Sequence, residues 1–358
     1  MSNFRFAVSD AMLRRICTIH HFPLEEFKEE LVFFGIRGAL PSNADNASFD
    51  YSAYLQFQDR HVLKAVQVNY FFPRCVLGQW IPSQGEIAVF PASTVPNLGY
   101  VSRRKLNRYQ FNQLVPGMYD YGKGNHPYSS SGFQQHKAFR MLGKAVVRRN
   151  NFQLTNGQPG ISYALDQSHI EVCSPGDNIH AARNNPKKTV LTDLRNTHYS
   201  YSFTMADFYS SYGCQVIVGN PEQYLPSGET NGSWNAWDQF YKYGYETQGA
   251  SQQAFKYILF SSMEALDIAG ENQSGHTPSE LRFGSEGDLV RRVQERLSSL
   301  KSAASGKAYY TRTVDEVFGP KMAEAVIQFQ KDNFHGQATG LVDARTASAL
   351  GVSNWPDV

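Results

Sequence analysis

The chain has 358 residues, 41% hydrophobic and 13% aromatic, enough to fill more than one core and too apolar for a disordered chain. Thirty-four Lys and Arg against 32 Asp and Glu leave a net charge of +2, too balanced for nucleic acid or an anionic membrane as main partner. The longest apolar runs, such as Leu31-Val32-Phe33-Phe34, fall far short of the roughly 20 residues of a spanning helix, so no membrane span is expected.

The start, Met1 to Arg15, has no basic-then-apolar signal pattern, so the chain reads as made in the cytoplasm without a signal peptide. Leu24, Phe27, Leu31 and Phe34 recur at spacings of three and four, which predicts an amphipathic helix. From about Ile36 to Tyr245 short runs of Val, Ile, Tyr and Phe alternate with turn signals such as Asn156-Gly157, a β-rich pattern. Phe255, Ile258, Leu259, Met263 and Leu266 predict a second helix over about 252–267, and Trp234 and Trp237 just before it read as core. The polar stretch Gly270 to Pro278 reads as a linker. Beyond it Leu289, Val293 and Leu297 stand four apart, with Asp288 as a candidate cap, and Ala325 and Phe329 repeat the spacing.

Between Gly284 and Gly351 the order is Gly284-Ser285-Glu286-Gly287-Asp288-Leu289-Val290, Val293-Gln294-Glu295-Arg296-Leu297, Val317-Phe318-Gly319, Ala325-Val326-Ile327-Gln328-Phe329-Gln330 and Thr339-Gly340-Leu341-Val342-Asp343. It resembles the peptidoglycan-binding family that folds as a three-helix bundle. The resemblance implies bacterial peptidoglycan as partner, and a tether that concentrates an attached domain near an insoluble polymer.

Cys17, Cys75, Cys173 and Cys214 show neither CxxC spacing nor the density of a disulfide scaffold, so free thiols are expected. The first three read as small buried hydrophobes. Cys214 differs, because it follows the tight turn Ser211-Tyr212-Gly213, where nearby backbone N–H groups are candidate oxyanion donors. His180, in Asp177-Asn178-Ile179-His180, is the candidate base, an imidazole near about pKa 6.5 facing a thiol near about 8.5. His198 lies nearer to Cys214 in sequence and stays open as the alternative base. The ten histidines show no HxxxH or HxH pairing, so neither a metal nor another cofactor is expected.

His180 followed by Ser211-Tyr212-Gly213-Cys214 resembles the L,D-transpeptidases, the YkuD-like family, and over roughly residues 75–245 a divergent phage and lysin-like branch of it. The resemblance implies Cys214 as nucleophile, His180 as base, Ser211 and Gly213 as shapers of the turn, and Tyr212, Gln215 and His126 on the substrate side. This sequence departs from the pattern at Ala181, Tyr212, Gln215 and Val216, and Asn184 to Asp207 reads as an inserted loop.

The expected fold class is therefore α+β multidomain, a β-rich L,D-transpeptidase-like domain plus a small all-α three-helix peptidoglycan-binding domain. Residues 1–74 read as an N-terminal accessory segment, 75–268 as the catalytic domain, 269–281 as the linker and 282–352 as the binding domain. The implied function is a cysteine enzyme acting on stem peptides through an acyl thioester, by transpeptidation, D-amino-acid exchange or carboxypeptidase cleavage. It would act in the periplasm or cell wall of a target cell, as a delivered antibacterial effector or lysin, with secretion machinery and a cognate immunity protein as further partners. A non-catalytic peptidoglycan-binding or phage-tail structural protein is the alternative.

Overall fold

The computed structural model describes residues 4–44, 51–97, 111–126, 136–150, 170–184, 200–201, 209, 211–219, 236–270 and 277–358. The chain opens with β1 (Arg5–Ser9), α1 (Asp10–Ile19) and the single turn α2 (Leu24–Phe27). Strands β2 (Val32–Arg37), β3 (Ala39–Pro41), β4 (Arg60–Ala65), β5 (Cys75–Ile81), β6 (Glu86–Ser93), β7 (Phe111–Leu114), β8 (Gly117–His126), β9 (His136–Leu142) and β10 (Ala145–Asn150) follow. Then come β11 (Ile170–Cys173), β12 (Asn178–Ala181), β13 (Arg183–Asn184), β14 (Ser200–Tyr201), β15 (Gln215–Ile217), α3 (Ala236–Tyr245), β16 (Ala254–Ser261) and α4 (Ser262–Gly270). The chain ends with α5 (Asp288–Ser299), α6 (Pro320–Asn333) and α7 (Ala344–Leu350). Among the described residues no helix is long and apolar enough to cross a membrane.

Eight strands close into a barrel in the order β12-β15-β6-β5-β2-β16-β8-β9, with β9 returning to β12. Side chains alternate across each strand, so every strand sends one apolar row inward. Phe33, Leu77, Phe90, Tyr121, Phe139, Ile179, Ile217 and Tyr257, one from each strand, meet in a single cluster with Trp237 and Phe240 of α3. Phe33 stacks on Phe255 at 4.5 Å and meets Phe139 edge-on at 4.8 Å. A fully buried aromatic in such a position is worth roughly 3–5 kcal/mol against truncation to Ala. The opposite row of β2, Val32, Phe34 and Ile36, packs against Met12, Leu13 and Ile16 of α1 and Ala265 of α4.

Three sequence expectations change here. The run Leu24 to Phe34 is helical only over Leu24–Phe27, and Val32–Arg37 is instead β2. Because β2 is buried on both faces, its apolar residues run together and mimic helical spacing. For the same reason the predicted helix over 252–267 divides into β16 and α4. Residues 1–74, expected as an accessory segment, contribute β2 to the barrel itself, paired with β5 and parallel to β16.

The C-terminal helices form the second unit. Leu289, Val293, Leu297, Val326, Phe329, Ala347 and Leu350 share a core, and Asp343 caps α7 by accepting the N–H of Thr346. Asp288 does not cap α5. It lies in the first turn and pairs with Arg291. This core also includes Val115, Val146 and Ile170 from the region of β10 and β11, so the helical unit is docked rather than loosely tethered. Gly340 sits at that contact, where an added Cβ would lie 3.1 Å from Ile170 Cδ1 and 3.2 Å from Val146 Cγ1.

The expected linker narrows accordingly. Residues 271–276 lie outside the described set, but Ser279 N–H donates to Pro356 O and Leu281 exchanges backbone bonds with Val342. Met118 N–H donates to Phe283 O, and the Phe283 ring stacks on Tyr119 at 5.1 Å. Buried Arg282 completes the seam by pairing with Glu264 of α4 at 2.8 Å and with Glu280.

Candidate active site

The barrel brings distant residues together through one pair of parallel strands. β12 and β15 are neighbours in which Ile179 faces Gln215 and His180 faces Val216. Ile179, Ala181 and Ile217 occupy the interior, so alternation puts His180 and Cys214 on the outer face. There Cys214 packs with Val95, Ala182, Tyr209 and Val216. His126 at the end of β8 and His136 at the start of β9 are register partners, and the same alternation puts them on this face.

Ser211 builds the turn before Cys214. Its hydroxyl accepts the N–H of Gly213 at 3.0 Å and donates to the carbonyl of Cys214 at 2.7 Å, tying both ends together. The N–H of Gly213 is thus committed to Ser211 and is not an oxyanion donor. Glycine at 213 makes room for Asp177, since an added Cβ would lie 2.5 and 2.7 Å from its two carboxyl oxygens. Tyr212 is half-buried, and its carbonyl accepts the N–H of Asn112 at 2.8 Å.

The half-buried Cys214 Sγ accepts the N–H of Asn178 at 3.4 Å. Cys214 Sγ and one ring nitrogen each of His126 and His180 lie within 4.8 Å of one another. The two imidazole rings are 4.4 Å apart, and His136 stacks on His126 at 5.0 Å and meets His180 edge-on at 5.3 Å. His180 is buried, and its Nδ1 stands 2.8 Å from Ala181 O. A carbonyl accepts only, so Nδ1 carries the proton and Nε2 is left to receive one. His198 and Trp234 lie outside the described residues, as does most of the inserted loop.

Gln215, expected on the substrate side, is instead fully buried inside the barrel. Its amide donates to Gly213 O at 3.0 Å, and its oxygen accepts the hydroxyl of Tyr257 at 3.2 Å. Alternation explains the difference: the residue after an outward-facing cysteine faces inward. Trp237 is buried in the interior cluster.

Three features of the site carry no signal in the linear sequence. Asp177 is buried behind Gly213, and burial pushes its carboxyl up to about 7, against the opposing effects of Asn112 and Arg149. His136 joins the imidazole group only through the β8–β9 pairing. The Asn178 N–H is a backbone donor, invisible to residue type. The remaining thiols are poor rivals: burial pushes Cys17 up to about 12 and raises Cys173, while Cys75 is fully buried.

Comparison with known proteins bears on the C-terminal unit. No curated protein and no solved structure matches the chain. Residues 286–350, which hold α5, α6 and α7, match the family model of the putative peptidoglycan binding domain, and this associates the C-terminal region with peptidoglycan and the cell wall.

Proposed function

We propose that the barrel is a cysteine acyltransferase or peptidase of the L,D-transpeptidase kind, acting on peptidoglycan stem peptides. The observation that carries the reading is the convergence of Cys214 with His180 and His126 on one outer face, beside a backbone donor to the sulfur. The peptidoglycan-binding match at 286–350 supports the polymer as substrate.

In this reading His180 takes the thiol proton, and the Cys214 thiolate attacks the carbonyl carbon at the L-centre of diaminopimelate. The carbon–nitrogen bond to D-alanine breaks, and the imidazolium returns its proton to the leaving amine. A thioester on Cys214 remains. An amine acceptor resolves it by transpeptidation or exchange, and water resolves it by hydrolysis. His126 packs against His180 and restricts how its ring can turn, which serves proton transfer in both directions.

Incubation with disaccharide-tetrapeptide, followed by intact-protein mass spectrometry, tests the reading. The expected result is an acyl adduct on Cys214 with release of D-alanine, absent from Cys214→Ala. Unchanged turnover by Cys214→Ala would overturn it, and a folded wild-type chain that binds peptidoglycan without adduct or product would favour a non-catalytic wall-binding protein.

A further inference from the structure

The cluster that supports acyl transfer has a second chemical capacity. His126, His180 and Cys214 each offer one ligand atom, and the three atoms lie within 4.8 Å of one another. Two imidazole nitrogens and one thiolate sulfur form a borderline donor set, which suits Zn2+ and excludes hard cations such as Mg2+ and Ca2+. Zinc–ligand distances of about 2.0–2.3 Å put tetrahedral ligands roughly 3.5 Å apart, so the trio needs to close by only about 1 Å. The Nδ1 contact of His180 with Ala181 O is the outer hydrogen bond that metal-bound imidazoles use to fix their tautomer. His136 stacks on His126 and limits the swing of that ring.

We propose that His126, His180 and Cys214 form a binding site for Zn2+ or a similar borderline divalent cation, and that occupancy reversibly blocks the cysteine. Binding joins Cys214 Sγ to the metal and releases the thiol proton to solvent, with no redox change. Three protein ligands leave a fourth position for water. A second cluster, His20, Glu264 and Glu280, is geometrically similar, but Arg282 already pairs with both of its carboxylates and it offers no thiolate. The proposal uses the residues of the acyl-transfer reading and does not require that activity.

The test is the rate of Cys214 alkylation by iodoacetamide in the reduced full chain, with and without equimolar Zn2+, read by peptide mass spectrometry. Zinc is expected to slow labelling of Cys214 at least tenfold, and a chelator to restore it. In parallel, Co2+ should bind one per chain and give thiolate-to-cobalt charge-transfer absorption, with His126→Ala weakening binding tenfold or more. An unchanged alkylation rate in Zn2+, or Co2+ spectra lacking the charge-transfer band, overturns the proposal whatever the variants do. Zinc protection without an acyl adduct in the metal-free protein would retain the metal site and remove acyl transfer. An adduct without protection would do the reverse.

Discussion

Replacing Arg282 by Met should weaken the whole protein, because this side chain fastens the helical unit to the barrel from a buried position. Its guanidinium lies 2.8 Å from Glu264 and also pairs with Glu280, and His20 Nε2 stands 3.4 Å from the same Glu264 oxygen. Burial opposes ionisation of Glu264, yet Arg282 and the His20 hydrogen bond outweigh it and hold the carboxyl far below the carboxylate range. Methionine keeps the volume and strands the carboxylates. Breaking a buried pair in this way costs about 3–5 kcal/mol. With an unfolding entropy of about 2.1 cal/mol/K per residue over 358 residues, ~4 kcal/mol lowers Tm by roughly 5 °C. The pH dependence adds a signature. In the native protein the depressed Glu264 contributes stability that is present above its unfolded value and lost as pH falls through its folded one. Without Arg282 burial dominates and raises Glu264, so the Tm gap should narrow as pH is lowered from 8 to 5. Glu264→Gln added to Arg282→Met should recover part of the loss. Differential scanning calorimetry across that range checks all three, and a gap under 1 °C that ignores pH would refute the account of the seam.

Gly213→Ala pushes a methyl group into the Asp177 carboxylate; it should destabilise by about 1–3 kcal/mol and slow Cys214 alkylation, as followed by denaturant unfolding and timed labelling. Asp177 has its carboxyl raised to about 7, so its contribution is present below the unfolded value of 3.8 and lost as pH rises through 7, on the order of 4 kcal/mol in all. Urea unfolding should therefore be pH-dependent between 4 and 7 in the native chain and flatter in Asp177→Asn. Truncation after residue 276 uncovers Val115, Val146 and Ile170, each worth about 1.5–3 kcal/mol of lost burial, and is expected to lower the Tm of the barrel. An unchanged melt would mean that the two units are independent.

The sequence was most legible where structure depends on local chain. Ser211-Tyr212-Gly213-Cys214 is a contiguous turn whose residue types betray its shape, and the small C-terminal core follows a simple spacing of four. Strands buried on both faces were illegible for a physical reason. In β2 both Phe33 and Phe34 are fully buried, one inside the barrel and one beneath α1, so the alternation that identifies a strand disappears. Barrel closure erased the domain boundary expected at residue 74, since β2 is needed to join β5 to β16. The histidine cluster was hidden for a related reason: His126 and His136 sit side by side only because β8 and β9 pair, and neither has a partner at ligand spacing along the chain.

The docking of the helical unit changes what such a unit can contribute. A module on a flexible tether acts only through effective concentration, whereas one fixed by packing also sets the direction from which its ligand reaches the barrel. Here α6 approaches Val146 of β10 and Ile170 of β11, and β10 pairs with β7. From β11 the chain runs through Ser174, Pro175 and Gly176 to Asp177, behind the Gly213 turn, while Asn112 of β7 holds the Tyr212 carbonyl. Part of the surface that receives the helical unit is thus the sheet whose two outer strands lead to the cysteine turn. A shift of α6 against that sheet would reach Asp177 and Asn112 through β11 and β7. The helices and the Cys214 turn share a continuous packed connection, so soluble peptidoglycan fragments should change the alkylation rate of Cys214 in the intact chain. Substituting Gly340→Val, which wedges the contact with Ile170 and Val146 apart, should weaken that response while leaving fragment binding in place. Equal responses in the two proteins would show that the sheet carries no such coupling.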